Sequence, residues 1–188
     1  GCDARGGVMG FVVLEGAAAV LTGAGSGIGR ATAHELAVRG CAVVVSDVLE
    51  ERAHAAAAEI VATGGRAVGL RVDVTSSADL EQLRDTCLDT FGRVDVVMNN
   101  VGVLAMGPPE SMPLDAWQRV LDVDVLGIVR SNAVFLPLLL EQGRGHVVNV
   151  SSIYGNQGTP GSAVYSATKA AVIALSEALR SESLGRIK

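Results

Sequence analysis

Segments with the pattern of a buried strand alternate with segments of helical pattern along nearly the whole chain. This alternation predicts a parallel sheet covered by helices on both faces, because parallel strands need a crossover helix between them. Right-handed crossovers then give an α/β, doubly wound sheet with strand order 3-2-1-4-5 and a ligand crevice between strands 1 and 4. The predicted strands are Ala17–Thr22, Ala42–Ser46, Ala67–Val72, Val94–Asn99 and Gly145–Val150; the predicted helices are Gly27–Arg39, Glu50–Thr63, Ser76–Phe91, Leu114–Glu141 with a bend at Pro137, and Ser162–Leu184.

The overall composition favours one globular domain and argues against two classes of partner. The chain of 188 residues is long enough for a single domain, 1–188, with a substantial core, and 49% of it is apolar. The net charge is −5 and no basic cluster occurs, so nucleic acid is not an expected partner. No stretch is judged apolar for long enough to span a membrane. Residues 1–8 carry no pattern and are interpreted as a leader or an expression remnant.

Neither the cysteines nor the histidines have the spacing of metal ligands. The three cysteines are scattered and odd in number, which favours idle thiols in a reducing, cytoplasmic environment. The three histidines are equally far apart, so no metal site is predicted. These residues are Cys2, Cys41 and Cys87, and His34, His54 and His146.

A glycine-rich segment, Thr22–Gly29, lies between the first predicted strand and the first predicted helix. Glycines in this context let the backbone turn tightly and lie against a pyrophosphate at a helix N-terminus. Asp47 closes the second strand, 18 residues beyond Gly29, near the spacing of a carboxylate that binds the adenosine ribose hydroxyls. Such a carboxylate repels a 2′-phosphate, so the pattern favours NAD, with NADP as the weaker alternative. A turn without a ligand and an ordinary strand-end aspartate are the other interpretations.

Tyr165 and Lys169 stand four residues apart, so on a helix their side chains share one face. Hydride transfer to or from an alcohol carbon needs a group that takes or gives the hydroxyl proton. A free phenol titrates near pH 10, but an ammonium about 4 Å away at an effective dielectric of about 20 stabilises the phenolate by roughly 4 kcal/mol. The alternative is a solvated pair on a helix surface.

The turn TGAGSGIG, followed about 140 residues later by YSATK, resembles the short-chain dehydrogenase/reductase family from about Ala17 to about Ile187. The resemblance implies an NAD-dependent oxidoreductase that acts on a secondary alcohol or its ketone. It implies Tyr165 as acid/base, Lys169 as its charged partner, and Ser152 as hydrogen-bond donor to the substrate oxygen. Cofactor contacts are expected from Gly23, Ser26, Gly27, Ile28, Gly29, Asp47, Asp73, Val74, Asn100, Tyr165 and Lys169.

The resemblance also bears on cofactor preference and assembly. NADP-preferring relatives usually carry a basic residue where this chain has Ser26 or Val48, which again favours NAD. Asp73 and Asn100 follow predicted strands, and Asx turns would explain both of them without excluding binding. Relatives pair the long helix and the tyrosine-bearing helix across a two-fold axis, which implies a homodimer or a homotetramer.

Two departures from the family pattern affect the predicted chemistry. Asp124 takes the place of an asparagine whose main-chain carbonyl holds a water in a proton relay; the carbonyl survives, but an ionised aspartate only accepts hydrogen bonds. Asp124 is therefore a fourth candidate catalytic residue. The chain stops at Lys188, where relatives continue into a sixth strand, a substrate lid and a seventh strand, so strand 5 is expected to be an exposed edge. The alternative function is a non-catalytic dinucleotide-binding module or an inactive fragment.

Overall fold

A five-stranded parallel sheet forms the centre of the computed structural model, which describes residues 13–183 and 185–188. The strands lie in the order β3-β2-β1-β4-β5, which confirms the predicted doubly wound α/β arrangement. Leu184 and the predicted leader, residues 1–8, lie outside the described residues. The strands are β1 Ala18–Leu21, β2 Ala42–Asp47, β3 Ala67–Arg71, β4 Val96–Asn99 and β5 His146–Asn149; the helices are α1 Gly27–Val38, α2 Glu50–Ala62, α3 Ser77–Phe91, α4 Leu114–Leu121, α5 Gly127–Gln142 and α6 Ala163–Glu182.

Helices cover both faces of the sheet because successive strand side chains point to opposite sides. In β2, Val43 and Val45 pack on the side that holds Ile60 of α2, whereas Val44 packs on the side that holds Leu80 of α3. Strands β1 and β2 are buried along their whole length, which explains why β1 and the first four residues of β2 are all apolar. All five strands run in one direction, so their carboxyl ends meet at one edge of the sheet, where ligands bind in this architecture.

The long helix predicted for Leu114–Glu141 forms, but its irregular part is not where the sequence predicts it. A π-helical segment, Asp122–Leu126, separates α4 from α5, and α5 continues through Pro137 to Gln142. The proline removes the hydrogen bond to the carbonyl of Ala133, and both residues are exposed, so water can satisfy that carbonyl. The π-helical segment contains Asp124, which is fully buried.

The same helix is apolar for long enough to span a membrane, contrary to the prediction from the sequence. The continuous helix Leu114–Gln142 contains an 18-residue window with a mean hydropathy of 1.7, which meets the length and composition of a membrane span. Phe135 and Leu139 of this helix are buried in a cluster that includes side chains of the sheet and of α3. Buried core helices meet the same criteria, and this packing favours that interpretation.

The outer edge of β5 is not fully exposed, contrary to the sequence-based expectation. The amide of Val147 donates to the carbonyl of Lys188 at 2.6 Å, and the amide of Lys188 donates to the carbonyl of Gly145 at 3.0 Å. Ile187 turns inward and is only 4% exposed. Residues 187–188 therefore satisfy part of the β5 edge, while Val148 stays 42% exposed.

Candidate active site

The turn between β1 and α1 depends on glycine at specific positions. Gly23 and Gly27 have φ angles of 61° and 55°, in the left-handed region that favours glycine. Glycine is required at position 29 for a different reason. A Cβ there would lie 2.6 Å from both Asn100 Nδ2 and the Gly23 carbonyl oxygen. The Asn100 amide donates to the carbonyls of Thr22 and Gly23 at 3.2 and 3.0 Å. Asn100 thus fastens the turn to the end of β4, and Gly29 leaves room for it.

A cleft of about 650 Å³ opens at the carboxyl ends of the strands, beside this turn. Its walls include most of the predicted cofactor-binding residues, namely Gly23, Ser26, Gly27, Ile28, Asp47, Asp73, Val74 and Asn100. Gly29, Tyr165 and Lys169 are not on the wall: Gly29 acts through packing, and the Lys169 ammonium lies behind Gly102. The walls also include residues that the sequence reasoning missed, among them Arg52, Thr75, Val103 and Arg119.

The end of the cleft at α1 fits a phosphate group. Ser26 has extended backbone angles and its side chain makes no capping hydrogen bond, so it leaves the first amides of α1 available. A Cβ on Gly27 would meet no protein atom within 4 Å, so the backbone there borders open space. Free amides at the positive end of a helix dipole bind anions, and the pyrophosphate of a dinucleotide is an anion of suitable kind.

Asp47 is held at the end of β2 by two backbone amides. Its Oδ2 accepts from Gly25 at 3.2 Å and its Oδ1 accepts from Leu49 at 3.1 Å, and the residue is only 7% exposed. Arg52, in the first turn of α2, lies against the same turn, since a Cβ on Gly25 would be 2.6 Å from Arg52 Cβ. One wall of the cleft therefore carries a carboxylate and an exposed arginine.

The residues after β3 combine a turn with a cleft wall. Asp73 Oδ1 accepts from both the amide and the hydroxyl of Thr75, at 2.9 and 2.7 Å, which is the Asx turn that the sequence left open. Val74 packs closely against Gly127, where a Cβ would lie 3.1 Å from Val74 Cγ2. Asp73 and Val74 still line the cleft, so the Asx turn at Asp73 is compatible with a binding role.

Tyr165 and Lys169 lie one turn apart on α6, near the carboxyl end of β5. Lys169 Nζ is 5.6 Å from the centre of the Tyr165 ring and donates to the carbonyl of Val150 at 3.1 Å. Lys169 is 2% exposed, so its ammonium is largely removed from water. The ring of Tyr154 meets the Tyr165 ring edge to face, with centroids 6.0 Å apart. Lys169 is thus buried and Tyr165 half-buried, so the two residues are not a solvated pair on a helix surface.

The two serines after β5 have different partners. Ser152 precedes a short 3₁₀ turn, and its hydroxyl accepts from the amide of Tyr154 at 3.3 Å, which leaves its own proton available to a ligand. Ser151 donates to the main-chain carbonyl of Lys169 at 2.8 Å, so its hydroxyl serves the backbone. Lys169 is therefore bound to the end of β5 through its carbonyl and through its ammonium.

Asp124 joins the π-helical segment to the loop after β4 and to Lys169. Its Oδ1 accepts from the amide of Val103 at 2.8 Å, and its Oδ2 lies 3.6 Å from Lys169 Nζ. Burial raises the pKa of the Asp124 carboxyl, against the opposing effects of the Val103 amide and the Lys169 charge. Gly102 makes room for the pair, because a Cβ there would lie 3.0 Å from Nζ.

Comparison with known proteins agrees with this geometry. Residues 17–187 match the family model described as short chain dehydrogenase. A 3-oxoacyl-[acyl-carrier-protein] reductase of Synechocystis sp. is 38% identical over 177 residues, which cover 94% of this chain and 72% of the relative. A 2,5-dichloro-2,5-cyclohexadiene-1,4-diol dehydrogenase of Sphingobium indicum is 35% identical over 173 residues, covering 92% of this chain and 69% of that relative.

Two solved structures share the fold. A short chain dehydrogenase/reductase from Burkholderia phymatum in complex with NAD gives a TM-score of 0.87 at 36% identity, covering 90% of this chain and 60% of the other. An NAD⁺-bound xylitol dehydrogenase gives 0.89 at 32% identity, covering 93% and 68%. The chain thus spans between 60% and 72% of the length of these four relatives. On the family match, these identities and the shared fold, the chain belongs to the short-chain dehydrogenase/reductase family of oxidoreductases.

Proposed function

We propose that the protein transfers a hydride between NAD(H) and a secondary alcohol or its ketone. The observation that carries the proposal is the position of Lys169: its buried ammonium lies behind Gly102, which is itself on the wall of the cleft. A dinucleotide in that cleft, with its phosphates at α1, would bring its other end to Gly102 and Val103. We therefore expect the nicotinamide end of the cofactor to lie near the ammonium of Lys169.

The proposed roles follow from the polar group that each side chain can still offer to a ligand. In the oxidation direction, a bound NAD⁺ would supply the hydride acceptor for the alcohol carbon. Tyr165 takes the hydroxyl proton as the carbon–oxygen double bond forms, and Ser152 donates a hydrogen bond to the same oxygen. Lys169 stabilises the tyrosinate through its positive charge in a site with little water. In the reduction direction the same groups act in reverse.

Turnover with a panel of secondary alcohols tests the proposal. Purified protein is mixed with NAD⁺ and each alcohol, and NADH formation is followed at 340 nm together with NADH binding by fluorescence. Binding with turnover supports the proposed oxidoreductase. Binding without turnover on any alcohol or ketone would instead favour the non-catalytic dinucleotide-binding module.

NAD(H) is expected to bind more tightly than NADP(H), by about ten-fold or more, because Asp47 opposes a 2′-phosphate. Asp47→Asn removes the negative charge and keeps one oxygen as acceptor for a backbone amide. It should therefore reduce the difference in affinity between NADH and NADPH. Arg52→Ala is the matched control. It removes a positive charge from the same wall and should increase the difference in affinity between NADH and NADPH. Fluorescence titration of all three proteins with NADH and NADPH gives the ratios. Equal or tighter NADPH binding by the unaltered protein contradicts the assignment of NAD.

We propose further that the protein self-associates. Leu121, Leu126 and Val129 of the α4–α5 region are each at least 40% exposed, which leaves apolar surface on the helix that relatives use for dimers. Sedimentation velocity at several concentrations gives the mass in solution, and a homodimer or homotetramer is expected.

A further inference from the structure

The buried pair of Asp124 and Lys169 carries no net charge when both groups are ionised. Lys169 Nζ lies 3.6 Å from Asp124 Oδ2, and the two side chains are 3% and 0% exposed. Oδ2 has no hydrogen-bond partner among the described residues, so the lysine charge is its main compensation. With an uncharged residue at position 124, the same pocket would hold an isolated ammonium.

Only one backbone layer separates this pair from the cleft. Gly102 and Val103 line the cleft, and the same two residues contact the pair. A Cβ on Gly102 would lie 3.0 Å from Nζ and 3.6 Å from Asp124 Oδ2, while the Val103 amide donates to Oδ1. Charges in a dry site act strongly across such a distance, since little water intervenes to screen them.

We propose that Asp124 makes this site bind the oxidised cofactor more favourably, relative to the reduced cofactor, than a neutral residue at the same position would. The inference rests on the proposed function. The oxidised nicotinamide ring is positively charged and the reduced ring is neutral, so an isolated ammonium nearby disfavours only the oxidised form. The carboxylate of Asp124 offsets part of the Lys169 charge, so it reduces that penalty while the ammonium still acts on Tyr165. It acts as a positioning and charge-compensating residue and need not contact the substrate.

The same reasoning predicts a pH dependence with a definite sign. Burial raises the pKa of the Asp124 carboxyl, so it takes up a proton at a higher pH than an exposed aspartate. Protonation leaves the lysine uncompensated, and the preference for NAD⁺ over NADH should fall as pH falls. The groups that face the carboxyl are Lys169 and the Thr168 hydroxyl from α6 and the Val103 amide from the loop after β4. On its own helix, Asp122 is paired with Arg130 at 2.6 Å.

The decisive measurement is the ratio of dissociation constants for NAD⁺ and NADH, by calorimetry, at pH 8. Asp124→Asn retains an oxygen for the Val103 amide and removes the negative charge. The ratio Kd(NAD⁺)/Kd(NADH) should rise about ten-fold, mainly through weaker NAD⁺ binding. Asp115→Asn, which removes a charge from an exposed position on α4, is the matched control and should leave the ratio unchanged. A loss of packing alone would weaken both cofactors equally.

An unchanged or lowered ratio in Asp124→Asn overturns the inference while leaving the proposed function intact. Failure of the unaltered protein to bind either cofactor overturns the proposed function, and the inference with it. If Asp124→Asn does not fold, Asp124→Ser, which also removes the charge, is measured against the same control and with the same two outcomes. Contributions from the adenosine end of the cleft are common to both cofactors and cancel in the ratio.

Discussion

Tyr165→Phe should lower kcat for alcohol oxidation by about 10³-fold while NADH affinity changes by less than about two-fold. The substitution removes one hydroxyl and leaves the ring, so the packing against Tyr154 and the position of Lys169 should persist. In the proposed mechanism that hydroxyl receives the substrate proton, and the ammonium of Lys169 on the same face of α6 is already engaged with the Val150 carbonyl and Asp124. Stopped-flow measurement of NADH formation, with fluorescence titration of NADH, separates chemistry from binding.

Tyr154→Phe provides a matched control for that experiment. It also removes a phenolic hydroxyl, from the ring that meets Tyr165 edge to face, and it preserves the amide that donates to Ser152. Activity close to that of the unaltered protein is expected. If Tyr165→Phe keeps more than a few per cent of the activity, or if Tyr154→Phe is the variant that loses it, the acid/base has been assigned to the wrong residue.

Gly29→Ala should weaken NADH binding by about 100-fold and destabilise the fold by about 1–3 kcal/mol. The added methyl carbon would lie 2.6 Å from Asn100 Nδ2, 2.6 Å from the Gly23 carbonyl oxygen and 2.8 Å from Ala24 Cα. Two of these neighbours are backbone atoms and cannot rotate away, so the turn itself must shift. Because Gly23 is on the cleft wall, that shift changes the surface on which the pyrophosphate is expected to bind.

The same exchange at Gly158 is the control, since a Cβ there would meet no atom within 4 Å and φ is not in the left-handed region. Calorimetric titration with NADH and thermal unfolding of both variants give the two effects. Full NADH affinity in Gly29→Ala would mean that the turn tolerates the displacement and that the cofactor binds elsewhere.

The fold was predictable because the signals that define it are local and repeated. Each strand is a short apolar run, and helices such as α3 end at a glycine in the left-handed conformation, Gly92, so the elements and their order follow from the sequence. The irregular part of the long helix was not predictable in the same way. Pro137 is a visible helix breaker, but it lies on an exposed side where its effect is small, while the π-helical segment has no comparable sequence signal.

The candidate site was predictable as a set of positions and less so as a set of contacts. Residues at the carboxyl ends of strands were expected around one crevice, and most of them line it. Which polar partner each one takes depends on distances between distant segments: Asn100 turns its amide onto the carbonyl of Gly23, and Asp73 accepts from Thr75. The placement of Arg52 beside the turn likewise depends on how α2 packs, which no short motif specifies.

The double attachment of Lys169 affects the choice of an inactive variant for capturing substrates. Its ammonium donates to Val150, and its own carbonyl accepts from Ser151, so one residue fastens α6 to the end of β5 from two directions. Exchange of the lysine for methionine would remove the first of these bonds and leave Asp124 buried without its partner charge, a change that loosens the scaffold while it stops the reaction. Crystals or pull-downs made with such a variant would report on a distorted pocket. Tyr165→Phe stops the reaction with the scaffold preserved, and it is the better bait for identifying the natural alcohol.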